Sequence, residues 1–159
     1  MKFLVILTLC IAGAIAHCDK APFIKASWNQ VKHNEVDILY TVFKAYPEIQ
    51  DRFPQFAGKD LEAIKETAEF AVHSTRIVSF MSEIVSLVGN PAVQSSIDLL
   101  LVKMANDHKA RGVTKELFEK FNIAFMGYLK SHTTWDEKTE NAWKVVGDEH
   151  HAIVYSILE

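Results

Sequence analysis

The chain has 159 residues and a formal net charge of −3 at pH 7, with 49% hydrophobic and 23% charged residues. This length suits one domain with its own core, and the composition excludes a disordered chain. The acidic balance argues against nucleic-acid binding, which needs a basic surface. The two cysteines are too few for a disulfide framework or a cysteine-rich zinc module.

The N-terminal residues have the features of a secretory signal peptide. A basic start at Lys2 precedes an apolar run from Phe3 to Ile15, which closes on the small-residue pattern Ala-Ile-Ala at 14–16. The run is shorter than the roughly 20 residues that cross a bilayer, so it predicts a cleaved leader and not an anchor. We therefore expect residues 1–16 to be removed and residues 17–159 to form one secreted domain.

Cleavage at this point leaves a single cysteine in the mature chain. Cys10 would leave with the leader, and Cys18 would then have no internal partner for a disulfide. Cys18 could at most cross-link two chains. The expected state is a monomer or a homodimer, and the sequence does not distinguish the two. No second apolar stretch is long enough to cross a membrane, so we expect no membrane association.

Hydrophobic periodicity predicts helices along the rest of the chain, with no alternating strand pattern of useful length. The stretches with helical spacing are Phe23–Val31, Val36–Phe43, Leu61–Ile84, Ile97–His108, Leu117–Leu129 and Trp143–Ile157. The third of these is the longest and has two adjacent apolar rows, which predicts one helix buried on much of its circumference. The prediction is a single all-α domain of six to eight helices.

Breaks between these stretches carry recognisable helix signals. Asn34 is expected to cap the second helix, and Pro47 suits the first turn of a short helix that follows it. The segment Phe53–Gly58 is predicted to be a loop carrying two aromatic rings. Gly89-Asn90-Pro91 is expected to end the long helix.

Two histidines, His73 and His108, lie on otherwise apolar helix faces. One such histidine is usually a hydrogen-bonded core residue, but a pair on two buried helices must each be hydrogen-bonded or bind a ligand. No neighbouring cluster supplies the three or four donors of a bare transition-metal site. Haem needs only one axial imidazole, and the rings of Phe53 and Phe56 would suit a large flat ligand, although both also fit an ordinary core.

The order of these residues resembles that of the globin family over residues 20–158. The landmarks that carry this resemblance are Trp28, Leu39, Pro47, Phe53, Phe56, His73 and His108. The strings at 37–45, 55–61 and 108–113 are similar to those of the extracellular haemoglobins of chironomid insect larvae. The interval from His73 to His108 is longer than in most globins, and the surplus is expected near Gly89-Asn90-Pro91 or in the helix before it.

The resemblance implies a role for each matching residue. His108 would be the proximal ligand of the haem iron, His73 would hydrogen-bond bound O2, and Phe53 would wedge the haem. The pocket would be completed by Leu39 and Ile77 on the gas side and by Phe56, Met104 and Val113. Arg76 and Arg111 each follow a histidine by one helical turn, so each is either a partner of a haem propionate or part of a solvated face.

The function implied is reversible O2 binding for transport or storage, with haem b as cofactor, CO and NO as further ligands, and no catalysis. The expected location is an extracellular, haemolymph-like fluid. Two other classes stay open from the sequence: a haem enzyme with peroxidase or nitric-oxide dioxygenase activity, and a secreted helical carrier of small lipophilic ligands. The carrier class usually relies on several disulfides, which one cysteine cannot supply.

Overall fold

The computed structural model describes residues 18–159; the predicted leader therefore lies outside the described residues. Over the described range the chain forms eight α helices and one short 3-10 helix, with no strand. The helices are α1 (18–31), α2 (Glu35–Ala45), α3 (Pro47–Gln50), α4 (Leu61–Lys65), α5 (Ala68–Leu87), α6 (Gln94–Lys109), α7 (Lys115–His132) and α8 (Glu137–Leu158), with the 3-10 helix at Pro91–Val93. The predicted all-α class is confirmed.

Most helix ends follow the local signals in the sequence. Pro47 opens α3, where its missing N–H is not needed. Gly89 and Gly112 follow α5 and α6 with φ of 84° and 76°, a left-handed conformation that favours glycine. Asn34 occupies the N-cap position of α2 as expected, but its side chain makes no cap hydrogen bond.

The long helix predicted from Leu61 to Ile84 is two helices in the structure, and Thr67 is the reason. Its backbone is extended, with ψ of 151°, and its hydroxyl accepts from the Phe70 N–H at 3.3 Å. The same hydroxyl donates to the Ile64 carbonyl at 2.7 Å, so one side chain satisfies groups at both helix ends. The helical spacing of apolar residues is not interrupted at this break, because α4 and α5 both bury their apolar faces. The spacing alone therefore predicts one helix.

Two apolar clusters form the core. The front cluster joins α2 to the loop after α3, to the first turn of α5 and to α7; its largest buried members are Leu39, Phe43, Phe56 and Phe70. The rear cluster joins α1, the second half of α5, α6, α7 and α8, and it includes Trp28, Leu101, Phe125 and Val146. Phe121 on α7 packs against both clusters. Thus α5 and α7 run through the whole core.

Hydrogen bonds between tryptophans and serines connect α1 to α8 and to α5. The Trp143 indole donates to the Ser27 hydroxyl at 2.9 Å, which links α8 to α1. The Trp28 indole donates to the Ser82 hydroxyl at 3.0 Å, which links α1 to α5. These bonds satisfy polar groups that would be costly to bury alone. Among the helices described, none is long and apolar enough to span a membrane.

Candidate functional site

His108 lies in the last turn of α6 with one ring nitrogen committed to its own helix. Its Nδ1 is 2.8 Å from the carbonyl oxygen of Met104, one turn earlier. A carbonyl can only accept, so Nδ1 carries the proton and donates it. The other nitrogen, Nε2, therefore has a free lone pair. This tautomer is the one that an imidazole needs to bind a metal through Nε2.

His73 lies in α5 and is held by two phenylalanine rings from the loop after α3. Its ring centroid is 4.6 Å from that of Phe53 and 6.2 Å from that of Phe56, with the ring planes nearly perpendicular in both pairs. Phe43 supports Phe53 from behind at 5.2 Å. Such edge-to-face contacts fix the orientation of the imidazole. The structure thus brings together three predicted site residues, two from this loop and one from α5.

The surroundings of His73 keep its ring neutral. Burial lowers the pKa of His73 below its usual value, and the positive charges of Arg76 and Arg111 act in the same direction. Arg76 lies on α5 and Arg111 lies just after α6, so cationic groups from two parts of the chain act on His73. A neutral imidazole at pH 7 keeps one N–H to donate and one lone pair.

The apolar side chains predicted for the site divide into buried and half-buried groups. Leu39 and Phe56 are each 1% exposed and belong to the front cluster. Phe53, Ile77 and Val113 pack at the edge of the same cluster and are half-buried, and Met104 packs at the edge of the rear cluster. The half-buried side chains around the two histidines offer apolar surface to a large flat ligand.

Two contacts in this region are absent from the sequence-based prediction. Phe118 on α7 faces His108 edge-on, with centroids 6.4 Å apart and planes at 88°. The guanidinium of Arg52 reaches across to the corner after α6, where its Nη1 is 3.6 Å from the position that a Cβ on Gly112 would take. Phe118 lies on a different helix from His108, so the spacing within α6 does not predict the contact. The only sequence signal for Arg52 is its position next to Phe53.

Both predicted arginines have solvent-exposed side chains. Arg76 and Arg111 nevertheless lie near enough to His73 to lower its pKa, so their charges face the site. Over residues 18–159 no group of three or more His, Cys, Asp or Glu side chains is placed to hold a metal ion.

Comparison with known proteins points to one family. A model of the family described as Globin matches residues 36–153. Globin CTT-W from Chironomus thummi thummi is 99% identical over 159 residues, which is all of both chains. Globin CTT-Z from the same organism is 53% identical, with 99% of each chain covered.

A solved structure shows the same architecture. The haemoglobin component TA-VII from Tokunagayusurika akamusi superposes with a TM-score of 0.85 and 39% sequence identity, covering 89% of this chain and 95% of that one.

Replacing Arg76 with Gln removes one of the charges that disfavour protonation of His73. We expect the pKa of His73 to rise towards its usual value, because burial remains and only the repulsion is relieved. NMR titration of the His73 ring protons measures this shift. Arg52→Gln is the matched control, since Arg52 does not contribute to the pKa of His73. Equal titration midpoints of His73 in Arg76→Gln and in the unaltered protein would contradict the conclusion that the Arg76 charge lowers the pKa of His73.

Proposed function

Because the chain belongs to the globin family, we propose that it is a secreted haemoglobin that binds O2 reversibly at haem b. His108 is the proximal iron ligand, and His73 is the distal residue facing the gas. The observation that carries the proposal is the hydrogen bond from Nδ1 of His108 to the Met104 carbonyl, which leaves Nε2 free. A histidine in a satisfied core would be expected to use both nitrogens.

The side chains near the histidines fit a flat apolar cofactor with a charged edge. Phe53, Ile77, Met104 and Val113 keep part of their apolar surface uncovered, and burial of such surface contributes about 25 cal/mol per Å². Leu39 and Phe56 support them from the core. Arg76 and Arg111 provide guanidinium groups that match the geometry of the haem propionates. Arg52 adds a third cationic group near Gly112.

Residues on the two sides of the cofactor have different roles: one side binds the iron, and the other faces the gas ligand. His108 would hold the haem, which when bound would supply an iron able to bind O2, and also CO or NO. On one side, Met104 fixes the tautomer and orientation of His108. On the other side, the neutral ring of His73 would donate a hydrogen bond to the gas ligand. The phenylalanines around His73 exclude water, which slows oxidation of the iron.

We further propose that residues 1–16 are a signal peptide and that the mature chain begins at His17. The basic start, the short apolar run and the Ala-Ile-Ala pattern support this boundary. Expression of the full chain in insect cells should place the protein in the medium with His17 as its first residue, as read by intact mass. Ala16→Arg should block cleavage at this site. Recovery of an uncleaved chain from the medium would contradict the proposal.

Replacing His108 with Gly tests the iron ligand. The variant should lose the Soret band of bound haem or show a strongly altered one, because no other side chain takes the place of Nε2. Free imidazole added to the variant should restore the spectrum by occupying the vacated position. His33→Gly, which removes an exposed histidine from the turn after α1, is the control. An unaltered spectrum and unaltered gas uptake in His108→Gly would overturn the function.

Replacing His73 with Leu removes the distal hydrogen bond while keeping a side chain of similar size. A hydrogen bond to a charged acceptor contributes about 1.5–3 kcal/mol, and each 1.4 kcal/mol is about tenfold. The O2 dissociation rate should therefore rise by about ten- to a hundredfold, and oxidation to the ferric form should be faster. Flash photolysis measures the rate, and His132→Leu at the end of α7 is the control. An unchanged dissociation rate would remove the role of His73.

A further inference from the structure

A groove of about 350 Å³ lies between α1 and α5. None of the residues that line it is among those proposed above to contact haem. Three residues of its α1 side, Lys25, Asn29 and Lys32, are spaced by four and three positions and so share one face. Ser82 and Ser86 line the α5 side, and Trp28 and Val85 complete the lining. The groove therefore combines polar walls with some apolar surface, as small-ligand sites do.

The charge of the groove is positive although the whole chain is negative. Lys25 and Lys32 are half-buried, and neither makes an ion pair with a carboxylate among the described residues. No Asp or Glu lines the groove. Two ammonium groups held in one concave site without a counter-charge favour an anion with more than one negative charge.

Ser82 adds a hydroxyl group whose oxygen is held by a residue of another helix. Its hydroxyl oxygen accepts from the Trp28 indole at 3.0 Å, and within the described structure its own hydrogen is donated to no carbonyl. In contrast, Ser74 and Ser86 on the same helix donate to carbonyls three or four residues earlier, at 2.8 Å and 2.7 Å. Trp28 thus fixes the Ser82 oxygen and leaves the O–H available to a ligand.

An adjoining depression of about 440 Å³ shows at which end an anion would bind. It shares Lys32 and Ser82 with the groove and extends it with His33, Ser79 and Glu35. The Glu35 carboxylate would repel an anion there, whereas the end at Lys25 has no acid in its lining. The favoured position is therefore between Lys25, Lys32 and Ser82.

We propose that this groove binds a small phosphate-bearing dianion, held by the ammonium groups of Lys25 and Lys32 and by the Ser82 hydroxyl. Tetrahedral oxyanions accept several short, charge-assisted hydrogen bonds, and Lys supplies compact point charges for them. The groove is within the size range of small-ligand sites, so a pyrophosphate group fits as well as a single phosphate. This site is independent of haem binding.

Pyrophosphate is the probe for the test, used with the purified mature protein at low ionic strength. Isothermal titration calorimetry should show saturable binding with one site per chain, and the Trp28 indole N–H should shift in 1H–15N spectra. Lys32→Gln should weaken the affinity about tenfold or more, and Lys25→Gln should behave likewise. Lys138→Gln, which removes the same charge from an exposed position on α8, should change the affinity less than twofold.

Three results would overturn the site. The first is the absence of saturable binding by the unaltered protein at millimolar pyrophosphate. The second is equal weakening by Lys32→Gln and Lys138→Gln, which would reveal a response to net charge alone. The third is binding that Lys32→Gln leaves unchanged while circular dichroism and the thermal midpoint match those of the unaltered protein.

Discussion

The hydrogen bond between Nδ1 of His108 and the Met104 carbonyl fixes the tautomer of this imidazole and leaves Nε2 without the proton. In an α helix a side chain points back towards the preceding turn, so a histidine near a helix end meets a carbonyl four residues earlier. That carbonyl oxygen has two lone pairs. It can therefore accept a hydrogen bond from the imidazole N–H in addition to one from a backbone N–H. The backbone of α6 therefore determines which ring nitrogen of His108 carries the proton. Gly112 then turns the chain away after α6.

The division of the core into two clusters explains why apolar surface remains beside the histidines. Phe121 joins the clusters on α7, but Ile77 and Met104 at their edges are only half-buried. Half-buried apolar side chains contribute little to stability until something covers them. A cofactor that binds only the folded chain adds its binding free energy to that of folding. The core is thus arranged so that stability and haem binding reinforce each other.

Sequence reasoning reached those features that depend on local pattern. The helical class and the opening of α3 at Pro47 follow from spacing and from residue type. The break at Thr67 was missed because capping there leaves the apolar period intact. Phe118 and Arg52 were missed because their contacts join segments that are distant in sequence, and spacing within one helix carries no information about them. The roles assigned to His108 and His73 came from their order along the chain and stay predictions.

Helix α5 shows how one periodic stretch serves two surfaces. His73 and Ile77 lie one turn apart on the face that meets the front cluster. Ser82 and Ser86 lie one turn apart on the face that meets α1. From the sequence alone, these serines would be taken as solvent-exposed positions, since a serine hydroxyl on a helix usually hydrogen-bonds to a carbonyl of the same helix. Ser82 differs from its neighbours: its oxygen accepts from the Trp28 indole, and within the described structure its hydrogen is donated to no carbonyl of its own helix.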